Sequence, residues 1–441
     1  MSEQKLHREL GLKEATALNM IDMVGIGPFI VVPLVVGAMQ GPHAIFAWVA
    51  GALLAFFDAF IWAELGAAMP QAGGTYVFLR ETYGGKVGKM MSFLFIWQTI
   101  IQAPLVVASG AIGFAKYCTY IVPLDAIQQK MVSGALVIIL TALLYRRVTS
   151  VGKLSVFLWV CVVATMLWLI FGGMTNFNPA YAFDYPEGAF DMSWVFAAGL
   201  GAASVKTVYS YLGYYNVCHL GAEIREPEKI IPKSIFISVA GIAVLYLSMQ
   251  LGILGVIPWQ EIVKSDFIVS TFVEKIYGPT AATVATVLVL LIAFSSLFAV
   301  ILGYSRIPYA AAQDGTFFAI FGKLHPTKNF PYVSLLVLGG VAFAFSLLFR
   351  LGEVISSIIA MRILVQFIGQ AIGLMVLKKR VGKDFFPFKM PLYPLPVIIS
   401  IIAWLALFAA TGKYMWYGVG MISLGLVVYF VRENFFKKDV L

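Results

Sequence analysis

Long apolar runs, parted by short polar stretches, constrain this chain more than any other feature. They fall at about 15–39, 44–69, 90–120, 131–145, 151–173, 192–220, 232–257, 279–304, 332–349, 354–377, 394–411 and 414–431. Roughly 20 apolar residues cross a bilayer as a helix, whereas a membrane strand needs about 9–11. The twelve runs therefore predict twelve transmembrane helices and an all-α integral membrane protein. With 61% hydrophobic and 12% charged residues, the 441-residue chain lacks the polar surface of a soluble fold.

A net charge of +9 would suit a nucleic-acid partner if it were clustered, but here the bases alternate with topology. With the N-terminus inside, the inner loops hold Arg80, Lys86, Lys89, Arg146, Arg147, Arg225, Lys229, Lys233, Arg306, Lys323, Lys328, Lys378, Lys379, Arg380, Lys383 and Lys389. The tails add Lys5, Arg8, Lys13, Arg432, Lys437 and Lys438, while the outer loops hold Lys130, Lys264, Lys275, Arg350 and Lys413. Both termini are expected in the cytoplasm, with no nucleic-acid partner and lipid around the spans. The first apolar run is a full span rather than a short cleavable one, so no signal peptide is expected.

The first span is interrupted at Asp22-Met23-Val24-Gly25-Ile26-Gly27-Pro28-Phe29. Glycine is a poor helix former, and Pro28 lacks a backbone donor. Irregular backbone at membrane depth survives only where protein or a wet cavity satisfies it. Two half-helices result, with spare N–H groups suited to an anionic group such as a carboxylate. The plain structural alternative is a kink relieved by a neighbouring helix. A second break is expected in the sixth span, at Val208-Tyr209-Ser210-Tyr211-Leu212-Gly213-Tyr214-Tyr215-Asn216, a stretch that taken alone also reads as an aromatic-rich core helix. Breaks in spans one and six are what a five-helix unit repeated with inverted topology would produce. The implied division is a tail (1–14), a first repeat (15–173), a second repeat (174–380), helices eleven and twelve (381–431) and a C-terminal tail (432–441).

Each ionisable group at mid-bilayer costs about 2.5–3.5 kcal/mol on insertion scales, so each needs a partner or a task. Asp22 lies one turn before the first break and Lys206 one turn before the second. Asp58 and Glu64 lie on span two, Arg362 on span ten, and Lys153 opens span five. Mutual pairing as structural glue is the bland reading, which fits Asp58 and Arg362 best. Asp22 and Lys153 flank the presumed cavity. A lysine ammonium there could satisfy unwound carbonyls as a sodium ion would, and burial could let it titrate and couple transport to protons.

Three cysteines, Cys118, Cys161 and Cys218, and four scattered histidines, His7, His43, His219 and His325, have no metal or disulfide spacing. No metal, cofactor or catalytic residue is expected. An integral-membrane enzyme stays a remote alternative, lacking a nucleophile–base pair. Nothing resembles a selectivity filter or a phosphate-cradling loop.

Several motifs resemble one family. Gly25-Ile26-Gly27-Pro28-Phe29 matches a Gly-Ser-Gly-Ile-Phe break. Ala63-Glu64-Leu65-Gly66 is followed by Pro70-Gln71-Ala72-Gly73-Gly74-Thr75-Tyr76. Glu223-Ile224-Arg225-Glu226-Pro227 precedes Ile231-Pro232. Ser305-Arg306-Ile307-Pro308-Tyr309-Ala310 precedes Asp314-Gly315 and His325-Pro326. Together these resemble the amino acid–polyamine–organocation superfamily of secondary transporters, nearest its L-type amino acid transporter branch. The resemblance spans nearly the whole chain. It implies a leucine-transporter-like five-plus-five inverted repeat with two extra helices, in the plasma membrane.

By position, the resemblance implies that a substrate carboxylate meets the amides of Gly25, Ile26 and Gly27. The amino group would meet carbonyls of Tyr209, Ser210 and Leu212, with Tyr209 as the outer gate. Lys153 would replace a sodium ion beside Ser296, giving a sodium-independent permease or exchanger. Three departures bear on the substrate. Ile26 replaces a small hydroxyl residue, Pro28 removes an amide, and Asp22 replaces a neutral residue. Asp22 could attract a cation, so a polyamine or other organic cation is the alternative to an amino acid. Neither exchange versus uptake nor an accessory subunit can be read from the residues.

Overall fold

A computed structural model describes residues 6–146, 148–348 and 351–435, with side chains at 148–150, 351–354 and 434–435 left aside. Lys5, Arg147, Arg350, Lys437 and Lys438, counted above for topology, therefore lie outside the described residues. The helices in order are α1 (Leu12–Met23), α2 (Gly27–Met39), α3 (Ile45–Ala68), α4 (Thr75–Tyr83), α5 (Gly85–Cys118), α6 (Ala126–Leu144) and α7 (Val148–Thr175). Next come α8 (Pro179–Ala182), α9 (Trp194–Tyr211), α10 (Asn216–His219), α11 (Pro227–Val256), α12 (Trp259–Ile262), α13 (Ile268–Tyr277) and α14 (Pro279–Tyr304). The last six are α15 (Arg306–Gln313), α16 (Tyr332–Leu348), α17 (Leu351–Arg362), α18 (Gln370–Val381), α19 (Leu395–Ala410) and α20 (Met415–Phe435). Among the described residues no strand forms, and only two isolated bridges occur, Leu10 with Ile224 and Ala72 with Leu220.

Among the described residues, eight helices are long and apolar enough to cross a membrane. The pair α1 and α2, bent by 43° at its break, would make a ninth. This is a multi-pass membrane protein. Three expected runs look different in detail. The sixth breaks after Tyr211, while α16 and α19 are apolar but shorter than the other spans. The short helix α13 falls in an expected loop. It buries Ile268, Val269, Phe272 and Val273 on one side, a helical period too brief to read as a span.

Helix α1 is buried from Ala15 to Ile21 on every face, as expected of a helix that neighbours enclose completely. It packs against α7, α11 and α14. Pro28 occupies the first turn of α2, where its missing N–H has no partner to lose. The fold thus encloses the first break among neighbouring helices and leaves α20, which packs on α5 and α17, largely exposed.

The motif residues meet at one end. Arg306 of α15 grips Glu223 through two bonds of 2.7 and 3.1 Å, both side chains fully buried. Glu64 pairs with Lys378 at 2.7 Å, and Arg80 with Asp314. The amides of Glu9 and Leu10 donate to the Glu223 carbonyl, strapping the N-terminal segment across this end. Bidentate geometry makes the Glu223–Arg306 pair a strong anchor, as an isolated buried charge would be costly. His325 Nδ1, by contrast, receives the amides of Thr327 and Lys328 at 3.3 Å while its ring packs among Tyr145, Phe330 and Tyr332, which holds a turn in place.

Candidate substrate cavity between the two breaks

The two interruptions sit side by side. After Met23 the chain leaves the helix at Val24 and resumes at Gly27. After Tyr211 it turns extended at Leu212 and reaches Gly213 at a φ of 121°, which favours glycine. A Cβ on Gly213 would lie 2.8 Å from the Met23 amide and 2.9 Å from the Asp22 carboxyl carbon, so only glycine lets the breaks touch. One hydroxyl joins them further. Tyr246 of α11 lies 2.7 Å from the Met23 carbonyl and 3.1 Å from the Ser210 carbonyl. Its single proton serves one at a time.

The cavity they enclose is about 60 Å³ and is lined by Asp22, Met23, Gly25, Ile26, Gly27, Tyr209, Ser210, Leu212, Gly213 and Tyr215 from the breaks. Helix α5 adds Val106 and Gly110, α14 adds Ala293, Ser296, Leu297, Val300 and Tyr304, and α17 adds Arg362. All the expected site residues except Lys153 share this wall. Lys153 is exposed on α7 and is not among the lining residues.

The backbone ledger at the first break is specific. Gly25 donates to the Met23 carbonyl at 3.1 Å, so its amide is occupied. Among the described residues, the amides of Ile26 and Gly27 have no backbone acceptor, as the start of a helix requires. On the carbonyl side, Ser296 Oγ donates to Asp22 O at 3.1 Å. Hydroxyls of Ser296 and Tyr246 thus serve the freed end of α1, where Lys153 was expected beside Ser296. Gly27 abuts Tyr209, since a Cβ there would lie 3.2 Å from its Cε1. The Tyr209 hydroxyl is 3.2 Å from Ser109 Oγ.

A carboxyl group and a guanidinium group face the cavity. Asp22 is half-buried, and among the described residues no donor or ion-pair partner reaches its carboxylate. Arg362 is 3% exposed, donates from Nε to Gln366 Oε1 at 2.9 Å, and donates from Nη2 to the Tyr215 hydroxyl. Its guanidinium also lies 5.4 Å from the Tyr215 ring centre and 5.9 Å from that of Tyr304. A seven-residue π-helical stretch, Ile363–Gly369, follows it directly. Such stretches shift the register of a helix face and recur at functional sites. The bland reading of Arg362 as glue is thus incomplete, for it is bonded to neighbours and also faces the cavity. The signal for it was present: an arginine in an apolar span is a functional candidate by default.

Other candidates lie elsewhere. Lys206 turns back to its own helix, bonding Ala202 O at 3.0 Å. Gln98 and Gln102 are buried beside the cavity's helices without lining it, and neither amide has a hydrogen-bond partner among the described residues. Among the described residues no cluster of ligands suits a metal.

A cavity between two broken helices, lined by a carboxyl, a guanidinium and spare backbone groups, is the arrangement of a membrane transporter. The family model for amino acid permeases matches residues 10–430, and the chain belongs to that family. Similar proteins include the branched-chain amino acid permease BcaP of Lactococcus lactis subsp. cremoris (strain MG1363). It is 24% identical over 465 residues, covering 99% of this chain and 97% of its own. The Asc-type amino acid transporter 1 of Mus musculus is 26% identical, covering 97% of this chain and 81% of its own. The methylthioribose transporter of Bacillus subtilis (strain 168) is 24% identical, covering 98% and 94%. The chain is a permease and not an enzyme.

Proposed function

We propose that this chain carries a zwitterionic α-amino acid across the plasma membrane by alternating access, binding it between the two breaks. The carrying observation is that both breaks open onto one cavity whose wall holds Asp22 and Arg362 together. The substrate carboxylate meets the free amides of Ile26 and Gly27. The ammonium meets the carboxylate of Asp22 and the carbonyls of Tyr209 and Leu212. Arg362 balances Asp22, so the wall matches a net-neutral guest better than a polycation, which argues against a polyamine. Twelve spans, arranged as inverted repeats at 15–173 and 174–380 with both termini cytoplasmic, supply the rocking bundle. The hydroxyls of Ser296 and Tyr246 already serve the α1 carbonyls, which supports transport without sodium.

The test is uptake of labelled alanine, serine, leucine, arginine and putrescine into proteoliposomes, with and without a sodium gradient. Sodium-independent uptake of a neutral amino acid is expected. Uptake of putrescine alone, or of no amino acid, would reject the reading.

A further inference from the structure

A second cavity, far from the breaks in sequence, lies where α6 packs on α16. It holds about 660 Å³ and is open to the surface, within the size range of small-molecule sites. Its origin is a pair of adjacent glycines. A Cβ on Gly339 would come 2.3 Å from Thr141 Oγ1, so this glycine brings the two helices into close contact. A Cβ on Gly340 would meet nothing within 4 Å, so the next residue leaves a void. Ile138, Leu336 and Phe343 make its walls apolar.

One end differs chemically. Arg146 and Lys328 line it, and no acidic residue does. Lys328 is held there by a 2.9 Å bond to the Tyr145 carbonyl and lies 4.7 Å from the Tyr145 ring centre. One of its three N–H groups is thereby used and two remain. Arg146 is exposed, and among the described residues it has no ion-pair partner. Both bases belong to loops that charge bias assigns to the cytoplasm, where the leaflet is anionic. The groove thus has a doubly basic mouth and an apolar body that runs into the bilayer for roughly 10 Å along α6.

We infer that this groove binds one anionic glycerophospholipid, its phosphate between Arg146 and Lys328 and an acyl chain lying over Gly340. Charge complementarity selects this occupant. A zwitterionic lipid such as phosphatidylcholine would bring its own ammonium to a mouth that already holds two cations, and a hydrophobic partner helix would bury them at a penalty. Guanidinium and ammonium groups bind phosphate well, each near-surface base contributing a factor of about five in affinity.

Native mass spectrometry of the purified full chain, titrated with phosphatidylglycerol, phosphatidylcholine or glycerol phosphate, tests the inference. One phosphatidylglycerol should be retained with a preference of about fivefold or more over phosphatidylcholine. Arg146→Gln, at an exposed position, should lower that preference about fivefold. Gly340→Leu should fill the void and cut phosphatidylglycerol retention about tenfold, with amino acid uptake intact as proof of folding. Equal retention of both lipids by the natural chain would overturn the site, as would unchanged retention in both variants. Glycerol phosphate binding as tightly as the whole lipid would make this a free-phosphate site and reject the lipid.

Discussion

Asp22 and Asp58 are both carboxylates at membrane depth, yet their surroundings are opposite. Asp58 on α3 is 1% exposed and receives four donors. Trp62 Nε1 at 2.7 Å and the Tyr214 hydroxyl reach Oδ2, while Ser400 Oγ and Trp404 Nε1 reach Oδ1 at 3.1 Å. It holds α3 to the second break and to α19 without any cation. Asp22 has no donor among the described residues and faces a cavity. The same side chain is structural where its lone pairs are filled, and under the function proposed above it receives a guest where they are empty. The two carboxyls thus differ both in burial and in how many of their lone pairs are filled.

That contrast is breakable by substitution. Asp58→Ala should have the largest effect, because it leaves several buried donors unpaired. A loss of about 3 kcal/mol or more is expected, read as a large drop in the tryptophan-fluorescence unfolding midpoint. An unchanged midpoint would dissolve the distinction. Arg362→Ala should come next, cutting amino acid uptake about a hundredfold, since truncating a buried hydrogen-bonded charge costs about 2–5 kcal/mol. Gly27→Leu should abolish most binding by driving a side chain at Tyr209, measured as lost substrate-induced thermal stabilisation. Asp22→Asn should leave the unfolding midpoint in place while lowering uptake about tenfold, the cost of one charge-assisted hydrogen bond. The smallest effect belongs to Lys153→Ala. It removes an exposed side chain off the cavity, so uptake should stay within about twofold of the natural chain. A strong loss there would restore Lys153 to the coupling mechanism.

Much of this was legible in the residues. Gly25, Gly27 and Pro28 marked the first break because their backbone chemistry is local, and Gly213 marked the second. Asp22 was legible because one helical turn fixes its distance from the break. What the residues do not give is side-chain direction. Lys153 was assigned by motif position, which says nothing about which face of α7 it occupies. Arg362 was taken as glue because a charge inside a span needs a partner, and which wall it faces is set only by tertiary packing. Tyr246 lay unremarked in an apolar run, and its hydroxyl finds its partners only through tertiary packing. Glu223 and Arg306 were each seen in a motif, but their pairing joins segments 83 residues apart.

The most direct measurement is an experimental structure of the chain in lipid nanodiscs with a transported amino acid bound. Substrate density is expected between the amides of Ile26 and Gly27 and the carbonyls of the second break, with its ammonium within hydrogen-bonding reach of Asp22. Density outside that cavity, or a first span running unbroken through Gly25 and Gly27, would contradict the central claim.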